Sequence, residues 1–185
     1  MNFLKRFFFN RERKQINLQS QFESWDNIKS VLILFKSEYT EKNSVVKELI
    51  SYVQSQGKQV VTFTYVDKKH SDTATLENYI VIDRSTVNWL GVPYKTRFAA
   101  KLNEKYDVVI DLTPDECLPL MYLLIWAKSS FRCSKRRDLY NLHDFMIDIP
   151  EPPVDPKTKM VDLHYSEEKV LCLQILKYLQ QIKSV

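Results

Sequence analysis

The chain alternates between short apolar runs and longer segments with helical periodicity. SVLILF, residues 30–35, is a continuous apolar run, as expected of a strand that is covered on both faces. Residues 45–53 then place Val, Leu and Ile at helical spacing, and Gly57 follows where a helix C-terminus favours positive φ. The β-branched and aromatic run QVVTFTYV, residues 59–66, predicts the next strand. These segments together predict one strand-helix-strand unit.

The same alternation continues towards the C-terminus. It predicts strands at YIVID, DVVIDL, FRC and FMIDI, which are residues 79–83, 107–112, 131–133 and 145–149. It predicts helices at residues 98–104, 119–128 and 167–182, and an extended proline-rich linker at residues 151–156. Strands that alternate with helices indicate an α/β fold. We therefore expect a mostly parallel sheet with helices on both faces, a three-layer Rossmann-like architecture.

The opening segment MNFLKRFFFNRERKQI predicts a basic amphipathic helix. Its apolar positions share one side of the helix: Phe3, Leu4, Phe7 and Phe8. Most of its cations lie on the other side: Lys5, Arg6, Arg13 and Lys14. We therefore divide the chain into an N-terminal arm, residues 1–16, and a single α/β domain, residues 28–185, which includes the C-terminal helix.

Charge and composition narrow the possible partners of this protein. With 185 residues, 44% hydrophobic and 27% charged, the chain is typical of one globular domain. The formal charge of +4 lies entirely in residues 1–14, where five cations face Glu12 alone, so the remainder is neutral. A neutral body argues against nucleic acid as a partner. We expect the arm to mediate self-association or to bind a protein partner, and less readily to contact an anionic membrane surface.

The cysteines and the lack of long apolar runs predict a cytoplasmic protein. Cys117, Cys133 and Cys172 are far apart and form no C-x-x-C pair, which is typical of reduced thiols. The N-terminal run Phe7-Phe8-Phe9 is followed at once by Asn10 and Arg11, so it is too short for a secretory apolar region. No segment approaches the length of a membrane span.

Glycine and histidine positions argue against common cofactors. Gly57 and Gly91 are the only glycines, so neither a G-x-G-x-x-G turn nor a Walker-type loop occurs in the sequence. The three histidines, His70, His143 and His164, share no metal-ligand spacing with each other or with cysteine. We therefore expect no cofactor and no metal site.

The carboxyl ends of the predicted strands are where a ligand site is expected, because parallel sheets bind ligands beyond those ends. Asp83 ends YIVID, and Asp111 lies at the end of DVVIDL. The NWLGVP loop has two interpretations: a turn in which Gly91 takes positive φ and Trp89 packs down, or the lining of a pocket by Asn88 and Trp89. The predicted ligand-binding residues are Asp83, Asn88, Trp89 and Asp111, and no catalytic residue is assigned.

The segment after Asp111 fits the start of a helix. Thr113 followed three residues later by Glu116 fits a capping box, which favours a structural role for Asp115 and Glu116 over the alternative, catalytic acids. Pro119 conflicts with a helix that starts so early, so either the helix kinks or its regular part starts at Pro119. Cys117, close to this helix start, is a weak candidate for a reactive thiolate.

A cluster of cations lies in KSSFRCSKRR, residues 128–137. Charge runs usually form a solvated face. Alternatively, the cluster binds phosphate or an acidic partner through its last four cations: Arg132, Lys135, Arg136 and Arg137.

Several motifs carry a resemblance to known families. NWLGVP, YDVVIDL, the apolar stretch through SSFRCS, and DFMI resemble a family of small bacterial proteins of unknown function, over most of the chain. That resemblance implies no activity, cofactor or catalytic residue. KYDVVIDL, the apolar helix and SSFRCS are also similar to the acceptor-side half of heptosyltransferase-like glycosyltransferases. The half that binds the nucleotide sugar in those enzymes would need another domain's length, so this similarity implies the Rossmann-like fold rather than the reaction.

Two functions therefore compete. The first is a non-catalytic Rossmann-like binding or interaction module with the N-terminal arm as its docking element. The second is a small ligand-binding protein or enzyme, such as a glycosyltransferase-like half domain, with a site at the C-terminal ends of the strands.

Overall fold

Six strands and five α-helices make up the described part of the chain. The computed structural model describes residues 3–14, 20–37, 44–69, 79–136, 140–150, 152 and 166–182. The strands are β1 (Ser30–Lys36), β2 (Gln59–Val66), β3 (Ile80–Asp83), β4 (Lys105–Asp111), β5 (Lys128–Lys135) and β6 (Phe145–Ile147). The helices are α1 (Phe3–Lys14), α2 (Ser44–Ser55), α3 (Lys95–Leu102), α4 (Leu118–Trp126) and α5 (Glu167–Gln181).

The six strands form one parallel sheet in the order β3-β2-β1-β4-β5-β6. This is the doubly wound order, in which the direction of winding reverses between β1 and β4. In the register of the sheet, Leu34 of β1 lies opposite Phe63 of β2 and Asp111 of β4, and Asp111 lies opposite Ser134 of β5. The predicted α/β class with a Rossmann-like sheet is confirmed, and Asp111 lies at the reversal point.

Both faces of the sheet are buried, which explains the continuous apolar run in β1. Leu32 and Leu34 belong to a core that they share with α3 and α4. Ile33 and Phe35 point to the other face and belong to a core that they share with α2 and α5. All four of these side chains are fully buried, because helices cover the central strand on both sides.

Helix α4 is apolar on all sides and is itself covered by α1. Every residue of α4 from Pro119 to Ile125 is buried. A helix without a polar face needs protein on both its inner and its outer side. Helix α1 supplies the outer cover, since Phe9 is fully buried with its ring centroid 5.2 Å from that of Tyr122. In addition, Trp126 Nε1 donates to Glu12 Oε1 at 3.0 Å.

The capping box predicted for α4 is wrong. The helix begins at Leu118 with Cys117 at the N-cap and no side-chain cap, whereas Thr113 donates its backbone N–H and its hydroxyl to Asp111. The alternative prediction is confirmed, because Pro119 lies in the first turn, where its missing N–H is not required.

Other boundaries differ modestly from the predicted ones. Strand β5 starts three residues before FRC and ends two residues after it, β6 is shorter than predicted, and α3 starts and ends earlier. Gly57 and Gly91 have the positive φ angles expected of them, +74° and +82°. The predicted linker at residues 151–156 lies outside the described residues except for Pro152.

Phe9→Ala is expected to loosen α1, because this side chain is the buried anchor of the helix. Truncation of a buried Phe costs about 3–5 kcal/mol of the free energy of unfolding. Phe7→Ala, a matched change on the exposed side of α1, is expected to cost less than about 0.5 kcal/mol. Urea unfolding and trypsin cleavage within α1 measure both effects. Equal stability and equal cleavage of the two variants would contradict this placement of α1.

Candidate functional site

The reversal point of the sheet carries a buried pair of Asp111 and His143. Asp111 Oδ1 accepts hydrogen bonds from the backbone N–H of Thr113, at 3.0 Å, and from its hydroxyl. Asp111 Oδ2 lies 3.0 Å from His143 Nε2 and accepts from it when that nitrogen carries the proton. The two side chains are only 4% and 5% exposed. The carboxylate of Asp111 therefore contacts three hydrogen-bonding groups in a closed environment.

The segment at residues 140–144 brings His143 to this position. Leu142 is buried in the core beneath α4. Asp144 accepts from the backbone N–H of Arg132 and donates its own to the Arg132 carbonyl, both at 2.8 Å. His143 thus reaches from the start of β6 across β5 to β4. The sequence analysis missed this role, because it considered His143 only as a metal ligand.

The thiols near this pair are buried. Burial raises the pKa of Cys117 to about 12, and it also raises the pKa of the fully buried Cys133. Both are therefore protonated near neutral pH, so the structure gives no support to Cys117 as a thiolate. The contacts of Asp111 and His143 have a clear structural effect instead, because they tie residues 140–144 to the end of β4.

Asp83 and Asn88, which were also predicted to bind a ligand, accept hydrogen bonds within turns. Asp83 Oδ1 accepts from the N–H and the hydroxyl of Ser85 at 2.9 and 2.6 Å. Asn88 Oδ1 accepts from the N–H groups of Leu90 and Val92 at 2.9 and 3.0 Å. The strand of Asp83 lies three strand spacings from β4, about 14 Å, so the structure does not bring Asp83 together with the Asp111 pair.

Trp89 projects from the surface beside α1. Its side chain is 78% exposed, so it does not pack down as the turn interpretation expected. The loop that carries it lies against α1 across a groove of about 370 Å³, whose walls include Phe8 and Arg11 from α1 and Asn88 and Leu90 from the loop. Of the two residues in the pocket interpretation, Asn88 therefore lines a groove.

The described cations of the predicted cluster differ in exposure and in their partners. Three of them pair with an acid: Arg132 with Asp144, Lys135 with Glu167 and Arg136 with Asp148. Arg132 is buried, whereas Arg136 is exposed. Arg137 lies outside the described residues.

Helix α1 contacts the domain through its charged side. Arg6 Nε donates to the Tyr140 hydroxyl at 2.9 Å. The guanidinium groups of Arg6 and Arg13 lie 5.7 and 6.0 Å from the centroid of the Tyr140 ring, within the range of cation–π attraction. Phe9 packs edge-on against Tyr140 at 5.2 Å. The inner side of α1 is therefore charged and aromatic, with one fully buried Phe.

The apolar side of α1 faces outward. We call this surface the α1 outer face; it consists of Phe3, Leu4, Phe7 and Phe8, together with Arg11 and Lys14. The predicted position of Lys14 on the cationic side is wrong, because at about 100° per residue it lies within about 20° of Phe3. Phe3 is 80% exposed, Phe7 55% and Phe8 39%. Large apolar side chains clustered on a protein surface indicate an interaction site.

The described residues include neither a cluster of metal ligands nor a helix that could span a membrane. Among those residues, no three His, Cys, Asp or Glu side chains cluster closely enough to hold a metal ion. None of the helices described has the length and apolar character to cross a bilayer.

His143→Ala is expected to destabilise the protein by about 2 kcal/mol, because it removes a hydrogen bond to a buried carboxylate. Asp67→Asn is a suitable control, since Asp67 pairs with Arg84 on the surface and that change is expected to cost less than about 1 kcal/mol. Urea unfolding measures both variants. A His143→Ala variant no less stable than Asp67→Asn would show that the buried pair does not hold the segment.

The native thiols are expected to react slowly with a disulfide reagent. At a pKa of about 12, only about one Cys117 in ten thousand is thiolate at pH 8. Burial raises the pKa of Cys172 to about 12 as well. Three thiols per chain are therefore expected to react readily only after unfolding in urea, which a colorimetric thiol assay measures. Rapid reaction of one thiol in the folded protein would contradict this expectation.

Comparison with known proteins identifies a family but no activity. No curated protein and no solved structure matches the chain. The comparisons therefore give no evidence for similarity to heptosyltransferase-like enzymes. A family model described as a family of unknown function, DUF6913, matches residues 2–162, from α1 through β6. The chain belongs to this family of unknown function.

Proposed function

We propose that this protein is a non-catalytic Rossmann-like binding module that attaches to its partner through the α1 outer face. The observation that carries the proposal is the exposure of Phe3, Phe7 and Phe8 on a helix that is already anchored by its other side. Burial of a Phe side chain contributes about 1.5–3 kcal/mol relative to leaving it exposed. Covering these three rings is therefore a substantial source of binding free energy.

The contacts of the inner side hold α1 in this orientation. A half-turn of the helix about its axis would bury the outer rings but would expose Phe9. It would also break the hydrogen bonds of Arg6 with Tyr140 and of Glu12 with Trp126. The alternative orientation therefore loses specific contacts, which supports a fixed presentation of the outer face.

The strand ends give less support to catalysis. Asp83 and Asn88 accept hydrogen bonds from their own turns, and Asp111 accepts from Thr113. The buried thiols are protonated near neutral pH. The charged and polar groups expected at a catalytic site thus have structural partners.

The three free cysteines support a reducing compartment. We therefore propose a cytoplasmic location, and a bacterial source as the sequence resemblance implies.

A triple variant, Phe3→Ser/Phe7→Ser/Phe8→Ser, tests the docking function. Its matched control is Leu173→Ser/Tyr178→Ser, which removes exposed apolar side chains from α5. We expect the wild type and the control to be found with large assemblies or membranes in fractionated lysate of the source organism, and the triple variant to move to monomer-sized fractions. Circular dichroism checks that all three proteins remain folded. The same distribution for all three would contradict the proposal.

A small-ligand site remains a second candidate, and the observation that favours it is the buried Asp111–His143 pair at the point where the strand order reverses. Thermal-shift measurements against sugars, nucleotides and phosphorylated metabolites test it. A ligand that stabilises the wild type but not Asp111→Asn would support this candidate. No stabilisation by any compound would count against it.

A further inference from the structure

We infer that the α1 outer face and the neighbouring Trp89 bind an anionic lipid surface. This inference rests on the proposed docking function and names the partner. It draws on three observations: the distribution of side chains along α1, the position of Trp89, and the location of the net charge.

The outer face is divided along the helix axis into an apolar and a cationic part. At about 100° per residue, Arg11 and Lys14 project on the same side of α1 as Phe3 and Phe7. The Phe residues lie in the first two turns, whereas Arg11 and Lys14 lie near the C-terminal end and are exposed. Such a helix can place its first turns at the boundary between headgroups and acyl chains, with its cations at the level of the phosphates.

Trp89 is a second exposed aromatic group, on a loop that borders α1. The loop that carries it borders the same groove as Phe8 and Arg11. Asn88 accepts two backbone hydrogen bonds within this loop, so Trp89 projects from an ordered turn. Tryptophan is enriched where proteins meet the membrane–water interface, because its ring is apolar and its N–H is polar.

Charge favours an anionic surface over a second copy of the chain. Residues 1–14 carry the entire net charge of +4. Two copies meeting through their outer faces would bring like charges together, including Arg11 and Lys14, and charged residues are depleted from the centres of protein interfaces. An anionic bilayer instead attracts each of these cations, and the cytoplasmic leaflet is anionic.

Vesicle co-sedimentation with the purified full chain tests the inference. The probes are vesicles of phosphatidylcholine alone and vesicles that also contain phosphatidylglycerol. We expect the wild type to sediment with the anionic vesicles, more weakly at high salt, and hardly at all with phosphatidylcholine alone. Arg11→Gln/Lys14→Gln is expected to weaken binding about thirtyfold, or about fivefold for each cation.

Two further variants separate the apolar contribution from general effects. Phe7→Ser/Trp89→Ser is expected to lose binding to anionic vesicles, whereas the control Leu173→Ser on α5 is expected to bind like the wild type. All of these side chains are exposed, so each variant is expected to fold. Circular dichroism checks this. Equal binding by Phe7→Ser/Trp89→Ser and the wild type would overturn the assignment of this surface.

The remaining outcomes separate this inference from the proposed function. No binding to either vesicle, or equal binding to both, would overturn an anionic lipid partner. If the wild type does not bind the vesicles, but Phe3→Ser/Phe7→Ser/Phe8→Ser still moves to monomer-sized fractions in lysate, the docking function stands with a protein as partner. A dimer seen by sedimentation velocity without lipid, and abolished by Phe7→Ser/Trp89→Ser, would assign the surface to a second copy and overturn the inference.

Discussion

The need to cover the outer side of α4 is the constraint on which the placement of α1 depends. Helix α4 presents no polar face to water, and its Tyr122 and Trp126 lie beneath α1. α1 meets this need with Phe9 and with charged side chains that pair with aromatic groups. One buried ring and several polar contacts are sufficient to cover the outer side of α4. The larger apolar surface of α1 therefore faces outward. The same helix thus completes the core and presents the surface for which we propose a docking role.

The segment at residues 140–144 joins this arrangement to the end of the sheet. At one end Tyr140 contacts α1, and three residues later His143 meets Asp111. Tyr140 and Asn141 both have positive φ, +79° and +45°. Asn adopts this region readily, whereas for Tyr140 it costs on the order of 1–3 kcal/mol. The contacts of Tyr140, Leu142 and His143 offset this cost. Residues 140–144 therefore contact both the end of β4 and helix α1.

The fold class could be predicted from the sequence because it depends on local patterns. Continuous apolar runs indicate strands that are buried on both faces, and α2 and α5 show plain helical periodicity. The full extent of β5 could not be predicted, since Lys128, Ser129 and Ser130 are polar. Lys128 and Ser129 join the strand by pairing with Lys105 and Tyr106 of β4. The capping box failed for a related reason, because Asp111 competes successfully for the hydroxyl and the N–H of Thr113.

The candidate sites were harder to predict because their geometry depends on distant partners. A helical wheel separates the two sides of α1, but it does not say which side α4 and Tyr140 will cover. His143 lies 32 residues from Asp111 in the sequence, so no spacing rule links them. Asp83 and Asn88 were reasonable candidates by position, but the turns that use their oxygen atoms are visible only in three dimensions.

The most direct test of the orientation of α1 is hydroxyl-radical footprinting of the wild-type protein, with oxidation of each Phe quantified by mass spectrometry. The measurement requires no substitution, so it does not disturb the contacts that it examines. The account predicts rapid oxidation of Phe3 and Phe7, which are exposed, and strong protection of Phe9, which is fully buried. Oxidation of Phe9 at the rate of Phe3 would contradict it, and so would protection of Phe3 and Phe7 in the isolated monomer.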